Sequence, residues 1–77
     1  MNKARRKRLE KALGMIADAR SIIEEVKDDE QDAFYNMPDN IRESERGDQM
    51  DENICTLDEI VCDLEEIESK IEEIIER

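Results

Sequence analysis

The stretch FYNMPDNIRESERG, residues 34 to 47, contains the chain's only Phe, Tyr and Pro and one of its two Gly. It interrupts a sequence otherwise written mainly in Glu, Asp, Ile, Leu, Ala, Lys and Arg. Pro38 has no backbone N–H and disfavours helical geometry in the residue before it, so a helix arriving from the N-terminal side should stop near Asn36. Pro38 itself suits the first position of one short turn through Ile41. Ser44 can cap a second helix, with Glu45 and Asp48 near its positive end. Gly47 lies in that first turn, where a missing side chain leaves room for Phe34 or Tyr35. The punctuation predicts helix over about 3–36, a corner at 37–44 and helix over about 45–77.

Both flanking segments are amphipathic. After the corner, Met50, Leu57, Leu64 and Ile71 recur every seven residues, and Asn53, Ile60, Ile67 and Ile74 form the companion column, with Ile54, Val61 and Ile75 beside them. Seven of these first eight positions are apolar, the signature of a helix with one buried face. Thr56 and Glu59 would fit a capping box, but the repeat continues through them without a slip, so one helix is expected. Before the corner, Leu9, Ile16, Ile23 and Met37 recur in the same way, with Glu30 the exception, and Ala12, Ala19, Val26 and Ala33 form the second column. Leu13 and Phe34 widen the stripe on one side, Met15 and Ile22 on the other. Gly14 is tolerated inside the helix at a cost of about 1 kcal/mol relative to Ala.

The expected fold is therefore all-α: an antiparallel two-helix coiled-coil hairpin. Each helix is about 33 residues, roughly 50 Å at 1.5 Å per residue. Folding about residues 40 to 41 sets Ile23 near Leu57 and Ile60, and Ile16 near Leu64 and Ile67. The expected hairpin or dimer seam is Leu9, Ile16, Ile23, Val26, Leu57, Ile60, Leu64, Ile67 and Ile71. Glu30 and Asn53 fall in nearby layers, where a polar pair can fix register. Met15, Ile22, Ile54, Val61 and Ile75 exceed what one seam covers, and a chain of 77 residues has little core of its own, so a homodimer forming a four-helix bundle is expected.

Composition excludes several kinds of chemistry. There is no His, which removes the commonest metal ligand and general base and leaves Ser21, Ser44 and Ser69 without an activating partner. Cys55 and Cys62 are seven residues apart, about 10 Å along one helix, too far for a disulfide between them. Two thiolates alone make no four-ligand zinc site, and no EF-hand loop or di-iron motif occurs. The reading is of a non-catalytic chain with no cofactor and no metal. No apolar run approaches the roughly 20 residues that span a membrane, and unpaired thiols suit the cytoplasm.

Charge is unevenly distributed. Residues 1–11 carry six Lys/Arg and one Glu, a balance of +5, while residues 12–77 carry six Lys/Arg and 22 Asp/Glu, a balance of −16. In a hairpin the basic start would lie along the acidic end and pair with it, which is preferred over a nucleic-acid-binding arm. Twenty-two carboxylates on a body of about 50 Å amount to one per roughly 2.3 Å, against one per about 1.7 Å of duplex DNA. Acidic helices also serve simply as soluble surfaces. Two surfaces are therefore candidates for partner binding: carboxylates such as Asp58, Glu65, Glu66, Glu72 and Glu73, and the corner with Tyr35, Arg42 and Arg46.

Residues 28–75 resemble small acidic proteins encoded by phages and prophages of Gram-positive bacteria. The similarity lies in an acidic approach to an aromatic-Asn-x-Pro turn, here Phe34 to Pro38, then Ser-Glu-Arg-Gly at Ser44 to Gly47, then a long Glu/Leu/Ile-rich helix. The family has no settled activity and lends no catalytic residues. Phage origin implies a bacterial cytoplasm and an inhibitor of a host nucleic-acid-binding or defence complex, of the anti-CRISPR or nuclease-inhibitor kind. Its partner would be a host protein with a basic surface, with no direct binding to nucleic acid. The alternative is a structural coiled-coil oligomerisation or scaffold module without an inhibitory role.

Overall fold

A computed structural model describes all 77 residues, and the chain forms three helices: α1 (Lys3–Tyr35), α2 (Asp39–Arg42) and α3 (Glu45–Glu76). The first helix starts where the Asn2 side chain accepts the backbone N–H of Arg5 at 2.9 Å, satisfying one of the free donors of the first turn. It ends ahead of Pro38, with Asn36 N–H still bonded to Asp32 O at 3.0 Å. The chain then turns back, and α1 lies along α3 in an all-α hairpin 59 × 14 × 13 Å in extent. No helix is long and apolar enough to cross a membrane.

The corner differs from expectation in three details. Pro38 precedes α2 in an extended conformation (φ −57°, ψ 145°) instead of occupying its first helical position. Its carbonyl accepts from the N–H groups of Ile41 and Arg42. Ser44 stands at the N-cap of α3, but its hydroxyl turns back to the carbonyl of Ile41 and leaves the first turn of α3 without a side-chain acceptor. Gly47 is buried against α2, not against the aromatic rings. A Cβ there would overlap the backbone O and C of Arg42 and come within 2.7 Å of its Cα. The close approach of two backbones is what requires glycine.

The seam also runs one column away from the expected one on both helices. From α1 into the corner, the two half-buried columns are Leu9, Leu13, Ile16, Arg20, Ile23, Lys27, Glu30, Phe34 and Met37, with Arg6, Ala12, Ala17, Glu24 and Gln31 also half-buried. From α3 they are Met50, Ile54, Leu57, Leu64, Glu68, Ile71 and Ile75, with Val61 and Gly47 buried. The column of Ala19, Val26 and Ala33 is exposed, and so are Asn53, Ile60, Ile67 and Ile74. α1 carries four columns with apolar members and α3 three, and a two-helix contact covers only two on each. The columns chosen contain Leu13 and Phe34 in place of alanines. They also bring Arg20 and Lys27 against Glu68 and Asp58.

These charged layers set the register. Arg20 Nε donates to both carboxylate oxygens of Glu68 at 3.1 Å, and Lys27 Nζ donates to Asp58 at 3.1 Å. Asn53 Nδ2 donates to Glu30 at 3.4 Å, a long bond at an exposed edge and not the enclosed polar pair expected. The midpoints of the three pairs fall between residues 41 and 44, so the fold point lies beyond the expected 40 to 41, and α3 is displaced by about one turn. The core that results is thin: Val61, 5% exposed, is the one buried apolar residue.

Candidate protein-interaction surfaces

The register sorts the remaining side chains onto two contrasting sides. On α3, Asp51, Asp58, Glu65 and Glu72 form the column beside the seam, and Glu52, Glu59, Glu66 and Glu73 a column about 100° further round on the outer back, with Cys55, Cys62 and Ser69 between the two. All eight positions are exposed carboxylates. At seven residues per repeat they supply two charges every ~10.5 Å along α3. Glu24 lies on the same side of α1, and Asp18, Glu25 and Asp32 on its outer back. Twelve carboxylates over about 33 Å give one per roughly 2.8 Å, near the 3.4 Å charge spacing of a single DNA strand.

Of the five carboxylates singled out from sequence, Glu65, Glu72 and Glu73 make no ion pair. Asp58 meets Lys27, and Glu66 lies 3.8 Å from Lys70. Lys27 is held charged above its ordinary range, chiefly by its hydrogen bond to Asp58. Arg20 is shifted the same way, first by its bond to Glu68 and then by its bond to Glu24 at 2.9 Å. Both cations lie in the seam with their side chains about three-quarters covered, so long aliphatic stems fill layers that apolar residues would otherwise occupy. Sequence reading missed them, although two cations opposite two carboxylates at matching distances from the corner were an available signal.

The corner divides its three candidates. Arg42 is used internally: its guanidinium donates to the carbonyls of Tyr35 (3.3 Å) and Met37 (3.0 Å), pairs with Asp39 (3.4 Å) and lies 5.9 Å from the Phe34 ring centroid. It thereby satisfies carbonyls left open at the end of α1. Tyr35 packs edge-on against Phe34 with centroids 6.0 Å apart, yet most of the ring faces solvent. Arg46 is exposed and forms no salt bridge.

The opposite flank is apolar. Met15, Ile22 and Val26 of α1 and Ile60, Ile67 and Ile74 of α3 are between 37% and 64% exposed. Ala19 and Ala33 lie among them, and neither inner column contains a carboxylate. Val26, Ile60 and Ile67 thus stand outside the hairpin contact, whereas Leu9, Ile16, Ile23, Leu57, Leu64 and Ile71 lie half-buried within it. Fully burying one such side chain contributes about 1.5–3 kcal/mol, and roughly half remains to be gained for each. Six of them hold on the order of 6 kcal/mol per copy before the costs of association.

The basic start does not pair with the acidic end. None of Lys3, Arg5, Arg6, Lys7, Arg8 and Lys11 forms a salt bridge, and Arg6 Nε is enclosed without a partner. Cys55 and Cys62 are free and exposed. The chain matches no protein-family model, no curated protein and no solved structure.

Proposed function

We propose that this chain is a non-catalytic, homodimeric binding protein whose carboxylate face occupies the basic surface of a nucleic-acid-binding protein. In the phage setting suggested by the turn motif, that partner is a host nuclease or defence complex, and the outcome is inhibition. The observation that supports this reading is the segregation of charge. Eight exposed carboxylates fill two columns of α3, one beside the seam and one on the outer back, while the exposed apolar side chains gather on the other flank. A face required only for solubility has no need of such sorting, since mixed charges serve as well.

A single carboxylate in such a row is worth little, because exposed charges are screened and each is one of many. The row acts through its summed field, which steers a basic partner and raises the rate of encounter. The test begins with affinity capture from host lysate to identify the partner. The captured protein is then offered this chain and DNA or RNA together. Mutual exclusion supports the proposal, and simultaneous binding of both overturns direct mimicry.

The second reading, an oligomerisation module without inhibitory activity, draws on the apolar flank alone. It requires that reversing the charges of Glu65, Glu66, Glu72 and Glu73 leaves every interaction of the chain intact.

A further inference from the structure

We infer that the apolar flank is covered by a second copy of this chain in antiparallel orientation, the corner of each copy lying beside the basic start of the other. The apolar stripe is centred at Ala19 on α1, between Ala12 and Val26, and at Ile67 on α3, between Ile60 and Ile74. In the observed register these two centres lie at the same level of the hairpin. A two-fold axis through that level therefore superposes stripe on stripe, as an isologous contact requires.

Charge then chooses between the two ways of pairing. Toward the start of α1 the flank ends in Arg5 and Arg8, neither of which has an ion-pair partner within the chain. Toward the corner it ends in an open groove of about 300 Å³ lined by Glu30, Gln49, Glu52, Asn53, Thr56 and Leu57. Arg8 stands 11 residues before the centre on α1, and Thr56 stands 11 before the centre on α3, which is the opposite end of the hairpin. The two-fold operation thus brings Arg8 level with Thr56 and Glu30 of the second copy, and Arg5 level with Asn53 and Glu52. A parallel pairing would instead set the two basic starts side by side and the two acidic corners side by side. Like charges so juxtaposed oppose association.

This inference rests on dimerisation, and the first arm of the experiment separates the two without altering the carboxylate face. With Cys55 and Cys62 replaced by Ser and a nitroxide placed through Asn40→Cys, sedimentation reports mass and pulsed dipolar spectroscopy reports the distance between corners. The expected result is twice the 9.1 kDa chain mass and corners about 60 Å apart, from some 20 residues of helix on each side of the axis. A dimer with corners within about 25 Å means parallel pairing and overturns the orientation, and a monomer at tens of micromolar overturns both claims. A second arm tests the groove. Arg5→Glu/Arg8→Glu and Glu30→Lys/Glu52→Lys should each weaken self-association at least tenfold with helicity retained. Mixing the two variants should restore a heterodimer, and failure to restore it overturns the groove assignment.

Discussion

Arg20 of α1 and Glu68 of α3 meet inside the helix seam, with Nε donating to both carboxylate oxygens at 3.1 Å across 48 residues of sequence. This bond fixes how far one helix slides along the other. Removing either partner leaves the other half-covered without its mate, so Arg20→Ala and Glu68→Ala should each destabilise the hairpin. The double variant should cost less than the two losses added together. A double-mutant cycle by urea unfolding checks this, and strict additivity would mean that the pair plays no part in register.

Lys27 carries a pH signature of definite sign. Its hydrogen bond to Asp58 raises its pKa in the folded state above the ordinary lysine value of 10.5. The stabilisation from this shift is complete below 10.5 and is lost as pH rises through the folded value. The difference in stability between the native chain and Lys27→Met should therefore hold steady from pH 7 to 9 and shrink above about 10.5. Thermal melts of both proteins across that range measure it. A difference that grows with pH would contradict the assignment.

The two glycines predict opposite outcomes for the same substitution. Nothing lies within 4 Å of a Cβ added at Gly14, so Gly14→Ala should stabilise α1 by about 1 kcal/mol. At Gly47 the added atom meets the Arg42 backbone, which cannot swing aside as a side chain would. Gly47→Ala should cost about 1–3 kcal/mol and loosen the corner. Chemical denaturation of the two variants, with fluorescence of Tyr35 reporting on the corner, decides both.

The two sides of α3 should separate folding from association. Val61→Ala removes atoms from the one buried apolar position, so it should lower stability at every protein concentration. Ile67→Ser acts on an exposed position, so it should lower the melting temperature mainly by abolishing its concentration dependence. Melts over a hundredfold range of concentration distinguish the two. Equal concentration dependence in the native chain and Ile67→Ser would remove Ile67 from the interface.

The hairpin was readable from sequence because Pro38 and Gly47 punctuate two amphipathic stretches that each admit a long helix. The phase of the seam was not. Counting apolar residues favours Ala12, Ala19, Val26 and Ala33 over Leu13, Arg20, Lys27 and Phe34, although alanines bury little area and the cations bring their own partners. The shifted phase also explains the acidic side. Asp58, Glu65 and Glu72 stood out as charged residues in sequence, but their place beside the helix contact depends on which column the hairpin covers. Arg42 looked like a displayed anchor because arginines at turns are commonly exposed. Its role in closing the end of α1 depends on a carbonyl geometry that spacing does not reveal.

The central claim, recognition through the carboxylate face, is tested most directly by the salt dependence of affinity for the captured partner. Binding carried by many solvent-facing charges should weaken steeply between low and physiological ionic strength, by about tenfold or more. Reversal of Glu65, Glu66, Glu72 and Glu73 together should abolish it with helicity unchanged, while Tyr35→Ala and Arg46→Ala change it little. An affinity insensitive to salt and lost with Tyr35 or Arg46 alone would contradict the account and place recognition at the corner.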